Sequence, residues 1–267
     1  MLRIDDAFAR LRASGKKAFV AYVAAGDPSL ERTLEIVQVL ERCGADIIEL
    51  GLPFSDPLAD GIVNQMAAGR ALEAGATTAG VVQLIRRIRE ASQIPLVLFT
   101  YLNPVYAYGF ERFHADAAAA GADGVLLLDL PPDEDGLNAE LTIRSGLQRI
   151  RLIAPTTPPE RMRTLAASSE GFIYYISREG VTGAQQTLAS NIGSQVAEIK
   201  AGGCTTPVCV GFGISTPDQA RAVAEAADGV VVGSAIVRII EQHGKSPDLA
   251  VKLTEFVKPL VDAVKAV

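Results

Sequence analysis

The chain has 267 residues, 49% of them hydrophobic, enough for one large core, and α/β barrels of roughly 250 residues are single domains. Its formal net charge is −6 and it carries no Lys/Arg-rich block, which argues against general nucleic-acid binding. Aromatics are only 6% and Trp is absent, so the core must be built mainly of Val, Ile, Leu and Ala, as in parallel strands buried on both faces.

The N-terminus, Met1-Leu2-Arg3-Ile4-Asp5-Asp6, has early acids and no apolar run, unlike a signal or transit peptide. No apolar stretch approaches the roughly 20 residues needed to span a bilayer. Together these predict a soluble, cytoplasmic protein with no membrane partner. Ile4, Phe8 and Leu11 share one helical face, predicting an extra helix ahead of the first strand. Eight β-branched runs follow, at residues 19–23, 46–50, 95–100, 124–128, 149–154, 172–176, 207–210 and 229–232. Their spacing of about 25–30 residues is that of βα units.

The helices between them are punctuated. One opens after Pro28-Ser29 and continues through Leu34, Val37 and Glu41; another presents Val81, Ile85 and Ile88. Thr157-Pro158-Pro159-Glu160 and Thr216-Pro217-Asp218-Gln219 both read as capping boxes with Pro at the helix start. Ser246-Pro247-Asp248 starts a last helix with Leu249, Leu253, Phe256 and Leu260 on one stripe. No linker divides the chain, so residues 1–267 are expected to form one domain. The first βα turn, Ala24-Ala25-Gly26-Asp27-Pro28, lacks the G-x-G-x-x-G of an open dinucleotide-binding sheet. A (β/α)8 TIM barrel with an extra N-terminal helix is the fold expected, its site at the C-terminal ends of the strands.

Glu49 stands near the end of the second run, among apolar residues that disfavour its charged form, as proton shuttling near neutral pH requires. Asp60 lies in the long, Pro-rich loop that follows. Two acids at one mouth suggest divided roles, one ionised and one a proton carrier. Asp56, in an Asp-Pro turn start, is the weaker candidate for chemistry. Val210-Gly211-Phe212-Gly213-Ile214-Ser215 and Val232-Gly233-Ser234 end the seventh and eighth runs, where such barrels bind phosphate on backbone amides and a helix N-terminus. Residues 177–184, with Gly180 and Gly183, suggest a mobile lid. His114 and His243 read as surface residues, and the three Cys residues, Cys43, Cys204 and Cys209, as buried free thiols in a reducing compartment. No metal cluster and no Cys/His nucleophile emerges.

The run Glu49-Leu50-Gly51-Leu52-Pro53-Phe54-Ser55-Asp56-Pro57-Leu58-Ala59-Asp60-Gly61 closely resembles the signature of the tryptophan synthase α family. Gly26-Asp27-Pro28, Tyr101-Leu102-Asn103-Pro104, Asp129-Leu130-Pro131, Ser177-Arg178-Glu179-Gly180-Val181-Thr182-Gly183 and Gly211-Phe212-Gly213-Ile214 extend the resemblance along the chain. It implies retro-aldol cleavage of indole-3-glycerol phosphate to indole and glyceraldehyde 3-phosphate. Glu49 matches the proton-shuttling acid and Asp60 the carboxylate that accepts from the indole N–H. Tyr22 and Tyr174 match pocket aromatics, and Thr182 and Gly183 the closing lid. Gly183, Phe212, Gly213, Gly233 and Ser234 match the phosphate site. No cofactor is implied on this chain; pyridoxal phosphate belongs to a β partner, expected over Asp56, Pro57, Asn103 and Pro104 in an α2β2 complex. A stand-alone lyase and a non-catalytic activator of the β partner are the alternatives. Two departures stand out: Ile62-Val63-Asn64 replaces the usual Pro-containing start after Gly61, which should loosen loop entry, and Ala24 replaces a Thr.

Overall fold

The computed structural model describes residues 2–177, 185–211 and 213–267, with only the backbone described for 185–191. Its strands are β1 (Ala18–Ala24), β2 (Ile47–Gly51), β3 (Leu96–Thr100), β4 (Gly124–Leu127), β5 (Gln148–Arg149), β6 (Arg151–Ile153), β7 (Ile173–Ile176), β8 (Val208–Gly211) and β9 (Gly229–Val232). All pair in parallel, in the order β5-β4-β3-β2-β1-β9-β8-β7-β6. β5 and β6 stand at opposite ends of that order but are joined through Ile150 alone, so the sheet curls round on itself. They are the two halves of the fifth predicted run. The expected single strand is broken because β5 pairs with β4 while β6 pairs with β7. The arginines of both halves are drawn to acids outside the sheet, Arg149 to Asp135 and Glu170, and Arg151 to Asp135. The (β/α)8 barrel is as expected, with this seam in its wall.

The helices are α1 (Arg3–Ala13), α2 (Leu30–Cys43), α3 (Ile62–Glu73), α4 (Thr78–Arg89), α5 (Leu102–Tyr108), α6 (Phe110–Ala120), α7 (Gly136–Ser145), α8 (Pro159–Ala167), α9 (Gln185–Lys200), α10 (Pro217–Ala226), α11 (Ser234–His243) and α12 (Leu249–Lys265). Besides the predicted α1, three helices are additional to the βα repeat. They are α3, α5 and α11, which follow β2, β3 and β9 at the mouth of the barrel. No helix among the described residues is long and apolar enough to cross a membrane.

Strand side chains alternate between two cores, as the period of two demands. Phe19, Ala21 and Val23 of β1, Ile48 and Leu50 of β2, and Val230 and Val232 of β9 face the helices. Val20, Ile47, Val97, Leu126, Cys209 and Val231 face inward and meet Ile4, Phe8 and Leu11 of α1, which plugs the N-terminal end. Each such fully buried aliphatic side chain contributes roughly 1.5–3 kcal/mol. Gly124 makes room for the plug, since a Cβ there would lie 3.3 Å from Ile4 Cδ1.

Ser29 caps α2 by accepting from Arg32 N, and Thr216 forms the expected capping box with Gln219. The second expected box is not formed. Pro158 takes the N-cap of α8, and the Thr157 hydroxyl accepts from Ala154 N at 3.0 Å within the preceding turn. His114 is also not at the surface. It is buried, with Nε2 2.8 Å from Asn138 Oδ1 and Nδ1 2.8 Å from Phe110 O. Its partner on α7 is remote in sequence, which is why the helix pattern gave no hint of burial.

Buried Asp123 joins the plug to the barrel. Its carboxylate accepts from Arg3 Nη1 at 2.8 Å, Arg89 Nη2 at 2.6 Å and Leu96 N at 2.8 Å. Asp123→Ala would leave the Arg89 guanidinium largely buried without its counter-ion. Breaking a buried pair in this way costs about 3–5 kcal/mol. The urea midpoint should fall accordingly; an unchanged midpoint would show that the network contributes nothing.

Candidate active site

The inward residues at the C-terminal ends of β1, β2, β3 and β7 converge. Glu49 pairs in register with Tyr22 of β1 and Val97 of β3. It is fully buried, and neither carboxylate oxygen has a hydrogen-bond partner among the described residues. Burial alone raises its pKa to about 8. Tyr22 and Tyr174 lie close enough to feel the Glu49 and Asp60 charges, and burial first, then those charges, pushes both phenols up.

Phe99 of β3 binds these rings together, 5.2 Å from Tyr22 and 6.3 Å from Tyr174 between centroids. Two glycines open the space they need. A Cβ on Gly51 would lie 2.7 Å from Tyr22 Cζ, and one on Gly211 2.8 Å from Tyr174 Oη. On the far side Gly233 approaches Tyr22, where an added Cβ would stand 3.3 Å from Tyr22 Cβ.

Asp60 enters from the loop between β2 and α3. Tyr101 Oη donates to Asp60 Oδ2 at 2.8 Å and accepts from Ala59 N at 3.1 Å. Burial raises the Asp60 pKa, while hydrogen bonds from Tyr101 and Asn64 act against that shift. Tyr22, Ala24, Gly51, Phe54, Asp60, Phe99 and Tyr101 thereby line one narrow pocket. Ala24 is buried there against Tyr22, Ala67 and Val237, so no hydroxyl is presented at this position.

Gly213 is exposed with φ +67°, in the turn between β8 and α10. Gly233 is the N-cap of α11 and Ser234 its first residue, both partly exposed. The first amides of a helix have no intrahelical acceptor, so this end can hold an anion. Thr182, Gly183 and Phe212 lie outside the described residues, as does the expected lid beyond Ser177. Asp56 and Asn103 are exposed at the rim, and Pro57 and Pro104 partly so. Among the described residues no group of His, Cys, Asp and Glu could hold a metal ion.

Phe99, Tyr101 and Gly51 were not among the residues singled out from sequence. Phe99 has the same inward parity as Val97, and Tyr101 opens the motif Tyr101-Leu102-Asn103-Pro104, so a signal for each existed.

A buried carboxylate, two tyrosines joined through Phe99 and a helix N-terminus, gathered from several strand ends at one mouth, place the candidate site where (β/α)8 barrel enzymes carry theirs. The model of the tryptophan synthase alpha chain family matches residues 8–265, and the chain belongs to that family. It is 49% identical over 266 residues to the tryptophan synthase alpha chain of Geotalea daltonii, covering 100% of each. With that of Citrifermentans bemidjiense it shares 48% over 264 residues, 99% of this chain and 98% of the relative. Among solved structures, tryptophan synthase subunit alpha of Legionella pneumophila superposes with TM-score 0.91 at 37% identity, covering 100% of both. A chain from the tryptophan synthase α2β2 complex of Pyrococcus furiosus gives 0.84 at 36%, covering 92% of this chain and 99% of that one.

Proposed function

We propose that this chain, as one barrel domain, cleaves indole-3-glycerol phosphate to indole and glyceraldehyde 3-phosphate by a retro-aldol step. The observation that carries this reading is Glu49: a buried carboxyl without a partner, its pKa lifted to about 8, facing the tyrosines in the mouth. Such a group rests protonated near neutral pH and can give and take one proton in turn. Glu49 gives its proton to indole C3. It then takes the proton of the hydroxyl on the adjoining glycerol carbon. The bond between that carbon and C3 breaks, its electron pair returns to the ring, and the carbon becomes the aldehyde. The proton given equals the proton taken, so the step needs no oxidant and no cofactor. Asp60 accepts from the ring N–H and stabilises positive charge developing there. Tyr22, Phe99 and Tyr174 clamp the ring. The test is indole release from indole-3-glycerol phosphate.

The phosphate sits against Gly213, Gly233 and Ser234. It anchors the tail, so binding far from the reacting carbon is converted into orientation. Gly213→Glu is expected to raise KM sharply. It places a carboxylate where the phosphate goes, at a backbone position of φ +67° that side chains rarely adopt. Glycerol 3-phosphate affinity measured by calorimetry checks this; undiminished binding would place the phosphate elsewhere.

A β partner covers the mouth, in line with the complex from Pyrococcus furiosus. Beside Asp56, Pro57, Asn103 and Pro104 lie Leu58, 82% exposed, Ile62, 69%, and Tyr106, 67%, apolar surface at the rim for a partner to cover. In the family that partner carries the pyridoxal phosphate. Asp56→Ala should leave most intrinsic cleavage intact and weaken activation by β. Exposed pairs contribute about 0–1 kcal/mol, so the effect on association is small. Indole formation by the variant alone and in a titration with β separates the two; a loss as large as that of Glu49→Gln would move Asp56 into the chemistry. The setting we infer is the cytoplasm, where Cys43, Cys204 and Cys209 stay reduced.

A further inference from the structure

Two of the three additional helices, α3 and α11, start at opposite ends of the proposed substrate. α3 begins directly after Gly61, and its Gln65 Nε2 donates to the Asp60 carbonyl at 2.8 Å. α11 begins at Ser234, with the proposed phosphate contacts in its first turn. Val63 and Ala67 of α3 and Val237 of α11 close together over Tyr22 and Ala24.

Further along, both helices are tied to a third element, the loop after β1. Asp27 in that loop is 2% exposed. Arg70 of α3 donates Nε to Asp27 Oδ1 at 3.0 Å and Nη2 to Asp27 Oδ2 at 2.8 Å, a two-pronged pair. Its remaining nitrogen, Nη1, donates to Glu241 Oε1 of α11 at 3.0 Å. One guanidinium therefore bridges α3, α11 and the β1 loop, using the planar fork that Lys lacks. The loop is wedged between the ends of the same two helices. A Cβ on Gly26 would lie 2.5 Å from Ala76 Cβ, just past α3, and one on Gly244, just past α11, 3.0 Å from Pro28 Cγ.

We infer that Arg70 is a positioning residue. It fixes the span between Asp60 at the indole end and the α11 N-terminus at the phosphate end, so that one ligand meets both at once. The inference rests on the proposed reading of those two ends. Its physical content is that joined subsites raise the effective concentration of the second contact once the first is made. Losing the register penalises a ligand that bridges both subsites and spares a ligand that fills one.

The test compares three probes by calorimetry: glycerol 3-phosphate for the phosphate end, indole for the ring end, and indole-3-propanol phosphate, which spans both. Arg70→Met should weaken the spanning probe by about tenfold or more, leaving each single-end probe within about twofold. Arg70→Lys should fall between, since it keeps the charge without the fork. Glu241→Ala removes only the α11 arm and leaves Asp27 paired, so its fold is preserved. It should show the same selective loss at about two- to fivefold, the size of a partly exposed pair. If Arg70→Met does not fold, Glu241→Ala decides alone. The inference is overturned if the spanning probe loses no more than the two single-end losses multiplied together. If the parent chain binds none of the three probes, the reading of the two ends fails, and this inference with it.

Discussion

Glu49→Gln is expected to abolish indole formation while making the folded chain more stable. The two effects share one cause. Glu49 is fully buried and its carboxyl oxygens are unpartnered, so the folded protein holds the proton up to about pH 8, whereas an exposed carboxyl gives it up near pH 4.5. Between those values the native state binds a proton that the unfolded state has released. Stability therefore falls as pH rises through this window and is free of the penalty below it. At pH 7 the penalty is on the order of 3 kcal/mol. Glutamine has the shape of the protonated acid but no proton to lose. The variant should gain that much in urea denaturation at pH 7 and lose the slope between about pH 4.5 and about pH 8. Turnover should drop by about 10²–10⁴-fold, the contribution of a positioned acid–base group. A variant with near-full turnover would remove Glu49 from the mechanism. A variant with unaltered pH-dependent stability would mean that Glu49 titrates in its ordinary range.

Asp60→Asn should cost nearly as much activity with little change in stability. The side chain is only partly buried, and Tyr101 Oη, which now donates to Asp60 Oδ2 at 2.8 Å, can donate equally to an amide oxygen. What is lost is the negative charge facing the indole nitrogen as positive charge develops. Removing one such stabilising group typically lowers kcat by about 10²–10³-fold. Glycerol 3-phosphate should bind as before, because its proposed site at Gly213, Gly233 and Ser234 does not include Asp60. Steady-state kcat and KM, with phosphate affinity measured separately, test this. Equal losses in kcat and in glycerol 3-phosphate affinity would show that the substitution collapsed the loop instead.

The barrel was legible because its strands are continuous apolar runs at regular spacing, and Glu49 because a carboxylate interrupts one of them. Gly233, after the last predicted strand, likewise marked a helix start at Ser234. What sequence alone did not show depends on closure of the sheet. Phe99 and Tyr101 matter because the curved sheet carries the end of β3 past β2 to Tyr22 and the Asp60 loop, and Gly51 because Tyr22 lies across it. The helices α3 and α5 were hidden because each interrupts the βα repeat with a short segment over the mouth. His114 escaped for a related reason: its acceptor Asn138 is supplied by the next helix, and helical periodicity records only one side of such a contact. The broken fifth strand follows from β5 pairing with β4 while β6 pairs with β7, again a pairing that spacing does not encode.

The central claim is most directly tested by supplying the purified chain with indole-3-glycerol phosphate and following indole and glyceraldehyde 3-phosphate together, with and without added β subunit. The account predicts the two products in equal amounts from the chain alone, formed faster when β is present. Release of neither product under both conditions, from a folded chain that binds the substrate, would contradict it.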